Sequence, residues 1–205
     1  MRLTIEQGTL LVSIARKTVD NLALEGRLPG NDVLSVSLDD EDGFLRDRRG
    51  AFVTLNKLSG ELRGCIGIPF PVRPLWEAVV ESAVGAASRD PRFPKVVTTE
   101  LDELLVEVSA LTQPELIRSK PSELPQHVRV GTDGLIVSHP GTSGLLLPQV
   151  GTDMKLGPHE FLSLTCQKAG LPPDSWLTGN VEVQRFQAEA FVETSPHGPV
   201  RQSSG

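Results

Sequence analysis

The sequence predicts an α+β fold, a largely antiparallel sheet with helices packed on it. Strand-like segments stand before and after most helical ones, and several pairs of them are close enough to close as hairpins rather than long crossovers. With 205 residues, 39% of them hydrophobic, and a mean hydropathy of -0.09, the chain is large enough to bury a core as one domain of two lobes.

Thr4 and Gln7 have the spacing of a capping box, and Leu11, Ile14, Ala15, Thr18, Val19 and Leu22 recur at helical spacing until Gly26 and Pro29 end the helix. Val33 to Leu38 reads as a short strand and residues 39–49 as a charged loop. The Asp-Asp-Glu-Asp-Gly run at 39–43 lacks the alternating ligands and terminal glutamate of an EF-hand. Residues 51–57 and 62–68 flank Ser59-Gly60, a two-residue hairpin turn. Closing there sets Lys57 opposite Leu62, Leu55 opposite Gly64, Val53 opposite Ile66 and Ala51 opposite Ile68 on an apolar face. The other face then carries Asn56 opposite Arg63, Thr54 opposite Cys65 and Phe52 opposite Gly67.

Pro74 opens a helix to about residue 88, with Trp76, Val79, Val80, Ala83, Val84 and Ala87 on one stripe. At ~1.5 Å per residue it runs back roughly 20 Å, which returns Asp90 and Arg92 toward the Leu62–Arg63 end of the hairpin. Leu104 to Leu111 reads as a central strand, apolar on both sides. Residues 113–125 form a connection, and 128–130, 134–138 and 144–147 a small meander with His139 in a turn. Pro158 opens a helix to Ala169 that buries Cys166, with Gly170 as its cap. Residues 181–186 and 188–193 alternate as closing strands. The domain is expected to span 1–193, and 194–205, rich in Ser, Pro, Gly and Gln, to be a disordered tail.

A net charge of -6 opposes general binding to nucleic acid or a membrane surface, and Arg46, Arg48 and Arg49 read as a solvated basic spot. No apolar run of about 18 residues predicts a membrane span. Two cysteines and no signal segment point to a reduced, cytoplasmic setting. His159-Glu160 is not followed by a second histidine at metal-site spacing, and phosphate-loop, dinucleotide and nucleophile-elbow motifs are absent, so neither a metal nor a cofactor is expected.

Several segments, in order, resemble the AMME-chromosomal-region (AMMECR-one) domain family. They are Arg49 to Leu55, Leu62-Arg63-Gly64-Cys65-Ile66-Gly67, Asp90-Pro91-Arg92-Phe93-Pro94, Glu107-Val108-Ser109, Asp133-Gly134-Leu135, Leu145 to Val150, Phe161-Leu162 and Thr165 to Leu171. The resemblance spans about residues 5 to 193 and departs from the family pattern at 151–157, where relatives tend to carry a Gly-Trp pair. It implies two lobes, the larger built from both chain ends. It also implies a pathway shared with Memo-like and radical S-adenosylmethionine proteins.

Two functions remain open on the residues themselves. In the first, Cys65 is the reactive thiol of an enzyme or redox protein, in a cleft between the lobes. There Arg63 favours the thiolate, Thr54 and Asn56 orient a carbonyl, and Asp90 and Arg92 supply charge. In the second, Arg63 and Arg92 hold an anionic small molecule, nucleotide or partner peptide in a non-catalytic module.

Overall fold

The structure, a computed structural model, describes residues 2–27 and 43–203. The expected strand at 33–38, the stop at Pro29 and the acidic positions 39–42 lie outside the described residues. The elements are helix α1 (Ile5–Glu25), strands β1 (Ala51–Lys57) and β2 (Leu62–Ile68), helix α2 (Leu75–Ser88), and strands β3 (Leu104–Leu111), β4 (Glu115–Leu116), β5 (Gly134–His139) and β6 (Thr142–Leu146). Helices α3 (Pro148–Asp153) and α4 (Pro158–Lys168) and strands β7 (Glu182–Phe186), β8 (Ala188–Glu193) and β9 (Val200–Ser203) complete them. The fold is α+β with antiparallel sheets, as the patterning predicts.

Residues 1–111 and 189–205 form one compact unit and 112–188 another. The first unit, the larger, is therefore built from both chain ends. Its sheet runs β2-β1-β3-β8-β9. The capping box closes as expected: the Gln7 amide donates to Thr4 Oγ1 at 3.3 Å and the Thr4 amide to Gln7 Oε1 at 3.0 Å. Both helices pack on one side of the sheet, where Ala51, Val53 and Leu55 of β1 and Val106, Val108 and Ala110 of β3 are fully buried. Full burial of a Val or Leu side chain contributes roughly 1.5–3 kcal/mol, which makes this inner face the main source of stability in the unit. Buried ion pairs tie the chain ends together. Arg16 of α1 bonds Glu193 of β8, and Glu193 also accepts the Val106 amide at 2.9 Å. Arg49 pairs with Glu189, which in turn accepts the Leu3 amide. Arg49 thus belongs to the interior, correcting its reading as part of a solvated basic spot.

The expected disordered tail is also corrected. Residues 194–199 turn back, with the Thr194 amide on the Pro199 carbonyl at 2.8 Å, and Val200–Ser203 forms β9 against β8. Its residues have no apolar alternation; the backbone ladder to β8 holds them in the sheet.

The second unit has the sheet β4-β7-β5-β6, with Leu135, Val137, Phe161, Leu162, Cys166 and Trp176 at its core. Cys166 is buried, as its helix face predicts. Three differences from the sequence reading stand out. Residues 128–130 are not a strand, because Asp133 binds the Arg129 amide and guanidinium and holds the segment in a turn. Pro148–Asp153 forms a short helix. The two closing segments part at Gln187, β7 joining this sheet and β8 the first.

Candidate functional site

The hairpin of β1 and β2 follows the predicted register for five pairs, Ala51–Ile68 through Leu55–Gly64. There the ladder slips, and Asn56 faces Leu62 instead of Arg63. The Lys57 amide bonds the Glu61 carbonyl across a turn in which Gly60 has φ +88, a left-handed conformation suited to glycine. One extra residue on β2 makes this a bulge, and Arg63 is the residue it displaces. The guanidinium goes to Glu100, on the 3-10 helix Thr98–Glu103, through Nε–Oε1 at 2.7 Å and Nη2–Oε2 at 3.0 Å. That bidentate bond holds the Glu100 carboxyl below its ordinary pKa. Arg63 is 4% exposed and its Nη1 is enclosed without a hydrogen-bond partner. The expected pairing of Arg63 with Asn56 is therefore corrected, and its charge is taken up by Glu100.

Gly64 and Ile66 of β2 face α2. A Cβ at Gly64 would land on the carbonyl oxygen of Ala86, so only glycine lets the strand and helix backbones approach this closely. Cys65 then points to the opposite face and is half-buried, in contrast to Cys166. Thr54 stands directly across from it on β1, and its Oγ1 donates to Cys65 Sγ at 3.3 Å. On β3, Glu107 faces Thr54, so Cys65, Thr54 and Glu107 form a row across three strands of the outer face. Burial pushes the Glu107 carboxyl above its ordinary pKa, and the charge of Arg201 on β9 partly opposes that shift. Asn56 is two residues from Thr54 on the same strand, hence on the same side.

The return of α2 brings Asp90 and Arg92 to the hairpin, at Cys65 rather than at Leu62–Arg63. The Cys65 amide donates to Asp90 Oδ2 at 2.9 Å, and Arg92 Nη2 donates to the Cys65 carbonyl at 3.3 Å. Arg92 also binds Asp90 through Nε at 2.9 Å and Nη2 at 2.7 Å. These bonds, the Arg92 guanidinium foremost, hold the Asp90 carboxyl well below the usual carboxylate range. In return the Asp90 hydrogen bond is the largest cause raising the Arg92 pKa, and attraction to the Cys65 thiol adds to it. Phe93 lies between the two guanidinium groups, 5.9 Å from Arg63 and 5.4 Å from Arg92.

Of the residues singled out in the sequence, Cys65, Thr54, Asp90 and Arg92 are brought together. Asn56 lies along the same strand, and Arg63 is drawn off to Glu100. Glu100 and Glu107 were not singled out for a role in the site. Glu107 lay within a segment carrying the family resemblance, whereas nothing in the pattern around Glu100 pointed at Arg63. His127, His139 and His159 belong to the second unit, and His197 lies between Asp20 and Asp102 at 3.6 and 3.5 Å. Among the described residues no group of three or more His, Cys, Asp or Glu is placed to hold a metal ion, and no helix is long and apolar enough to cross a membrane.

Together, fold and face define a class: an α+β protein of two compact units, the larger carrying a half-buried cysteine gripped by an Asp-Arg pair. The AMMECR1 family pattern matches residues 12–191, and the chain belongs to that family. A protein of Thermococcus gammatolerans is 48% identical over 204 residues, covering 98% of this chain and 97% of the relative. One of Thermofilum pendens is 46% identical over 211 residues, covering 97% and 95%. The crystal structure of an uncharacterized protein from Pyrococcus horikoshii has a TM-score of 0.79 and 42% identity, covering both chains fully. The names of these relatives state no activity, substrate or partner.

Proposed function

We propose that the outer face around Cys65 is the site of a thiol-dependent enzyme, with Cys65 as the nucleophile. The observation that carries this is the hydrogen bond from Thr54 to the Cys65 sulfur, made while Asp90 and Arg92 fix the amide and carbonyl of the same residue. A hydroxyl that donates to the sulfur orients the nucleophilic atom from one side. Locking the backbone fixes where that sulfur points, which lowers the entropic cost of attack.

The anion-binding reading has weaker support. Arg92 is already paired with Asp90 and Arg63 with Glu100, so neither guanidinium offers an uncompensated charge. Arg63 Nη1, which has no hydrogen-bond partner, is enclosed and presents no surface to a ligand. A neutral electrophile fits this face better than an anion. A place in a pathway with Memo-like and radical S-adenosylmethionine proteins stays part of the proposal and rests on the family resemblance alone.

Alkylation by iodoacetamide at neutral pH tests the reading. Cys65 is expected to react faster in the native protein than in the same protein unfolded in urea, despite being half-buried. A native rate below the unfolded one would mean that the fold shields the thiol without activating it, and the enzymatic reading would fall.

A further inference from the structure

The row across β2, β1 and β3 contains a group that the nucleophile alone does not use. We propose that Glu107 is the general acid and base of acyl transfer from neutral esters or amides to Cys65 and then to water. This rests on the reading of Cys65 as the nucleophile.

The geometry comes from register. Thr54 pairs with Cys65 on one side and with Glu107 on the other, so all three side chains leave the same face. Adjacent strands are ~4.8 Å apart, which puts the Cα positions of Cys65 and Glu107 roughly 10 Å apart. An attacking sulfur needs about 3 Å to the carbonyl carbon and a general acid about 2.8 Å to the leaving atom. With the bond being broken, that is a span of roughly 7 Å. A glutamate side chain is long enough to cover the difference once its carboxyl turns toward Thr54. The charged and titratable groups facing this row are Cys65 with Arg92 at one end and Arg201 on β9 at the other. Burial of Glu107 keeps its carboxyl protonated further up the pH scale than an ordinary glutamate, as a proton donor requires.

The step balances without a further reactant except water. The Cys65 thiolate attacks the carbonyl carbon, an S–C bond forms, and the bond to the leaving group breaks. The leaving oxygen or nitrogen takes the Glu107 proton, which leaves a carboxylate. That carboxylate then takes a proton from water as the water oxygen bonds to the acyl carbon and the S–C bond breaks. Thiolate and carboxylic acid are both restored, and the acyl group departs as a carboxylic acid.

Two esters and one substitution test the proposal. Para-nitrophenyl acetate expels an anion that needs no proton, whereas phenyl acetate benefits from an acid. In the wild type both are expected to leave an acetyl group on Cys65, read by mass spectrometry of the peptide. In Glu107→Gln, acetylation by the nitrophenyl ester should stay within about twofold, while that by phenyl acetate and hydrolysis of acetyl-Cys65 should fall by roughly 100-fold or more. With phenyl acetate the wild-type rate should decline as pH rises through the elevated Glu107 pKa, and Glu107→Gln should lack that decline. Equal effects on the two esters, or an unchanged pH profile, would overturn the role of Glu107 while leaving Cys65 as nucleophile. No acetyl-Cys65 with the nitrophenyl ester in the wild type would overturn both.

Discussion

The two cysteines sit in opposite kinds of surroundings. Cys166 lies in the apolar core of the second unit among Phe161, Leu162 and Trp176, and burial pushes its thiol up. Cys65 lies on a strand whose inner neighbours pack tightly against α2 while its own side chain leaves the other way, toward the Thr54 hydroxyl. On the proposed reading this difference, and not residue type, sets the two thiols apart: polar partners and partial exposure on one side, with rigid packing on the other.

The largest expected effect follows directly. In native protein Cys65 should alkylate at least about 1,000-fold faster than Cys166, because a fully buried sulfur reacts only through openings that cost several kcal/mol. Peptide mass spectrometry over time measures both rates at once, and comparable rates would erase the contrast. Next comes Gly64→Ala. The added methyl strikes the Ala86 backbone, which cannot yield like a side chain, so the first unit should lose about 1–3 kcal/mol in denaturant unfolding.

Asp90→Asn should cost about 1–2 kcal/mol at neutral pH, since it removes the charge that Arg92 and the Cys65 amide bind. The sign with pH is definite. The folded-state pKa of Asp90 lies below the unfolded one, so its contribution is complete above the ordinary aspartate value near ~3.9 and is lost as pH falls through the folded value. The difference in unfolding free energy between wild type and Asp90→Asn should therefore shrink on acidification. A gap that widens would contradict the clamp. Smallest is Thr54→Val, which keeps the shape and removes the donor. It should slow Cys65 alkylation by roughly 3- to 10-fold, equivalent to about 0.7–1.4 kcal/mol, and leave Cys166 unchanged.

Much of this face was legible in the sequence. The turn at Ser59-Gly60 and the alternation around it fix five cross-strand pairs, including Thr54 with Cys65, because a one-residue slip would turn the apolar set outward. The length of α2 brought Asp90 and Arg92 back to the hairpin. What stayed hidden depended on distant partners. The bulge at Arg63 answers to Glu100, placed by a short 3-10 helix with no strong period of its own. Strand β9 is polar and is held by its backbone, so its sequence resembles that of a loop. Glu107 sits in a segment that reads correctly as a strand, but only the pairing of β3 with β1 shows that it stands opposite Thr54.

The Asp90–Arg92 pair has a consequence beyond chemistry. Strand β2 ends the sheet, and the amide and carbonyl of its central residue turn outward, where another chain could template onto them. A carboxylate and a guanidinium occupy those two groups in the way a sixth strand would. The loop that grips the cysteine's backbone therefore also closes the sheet's margin against runaway β-association. A lesion there should appear first as aggregation in concentrated solution.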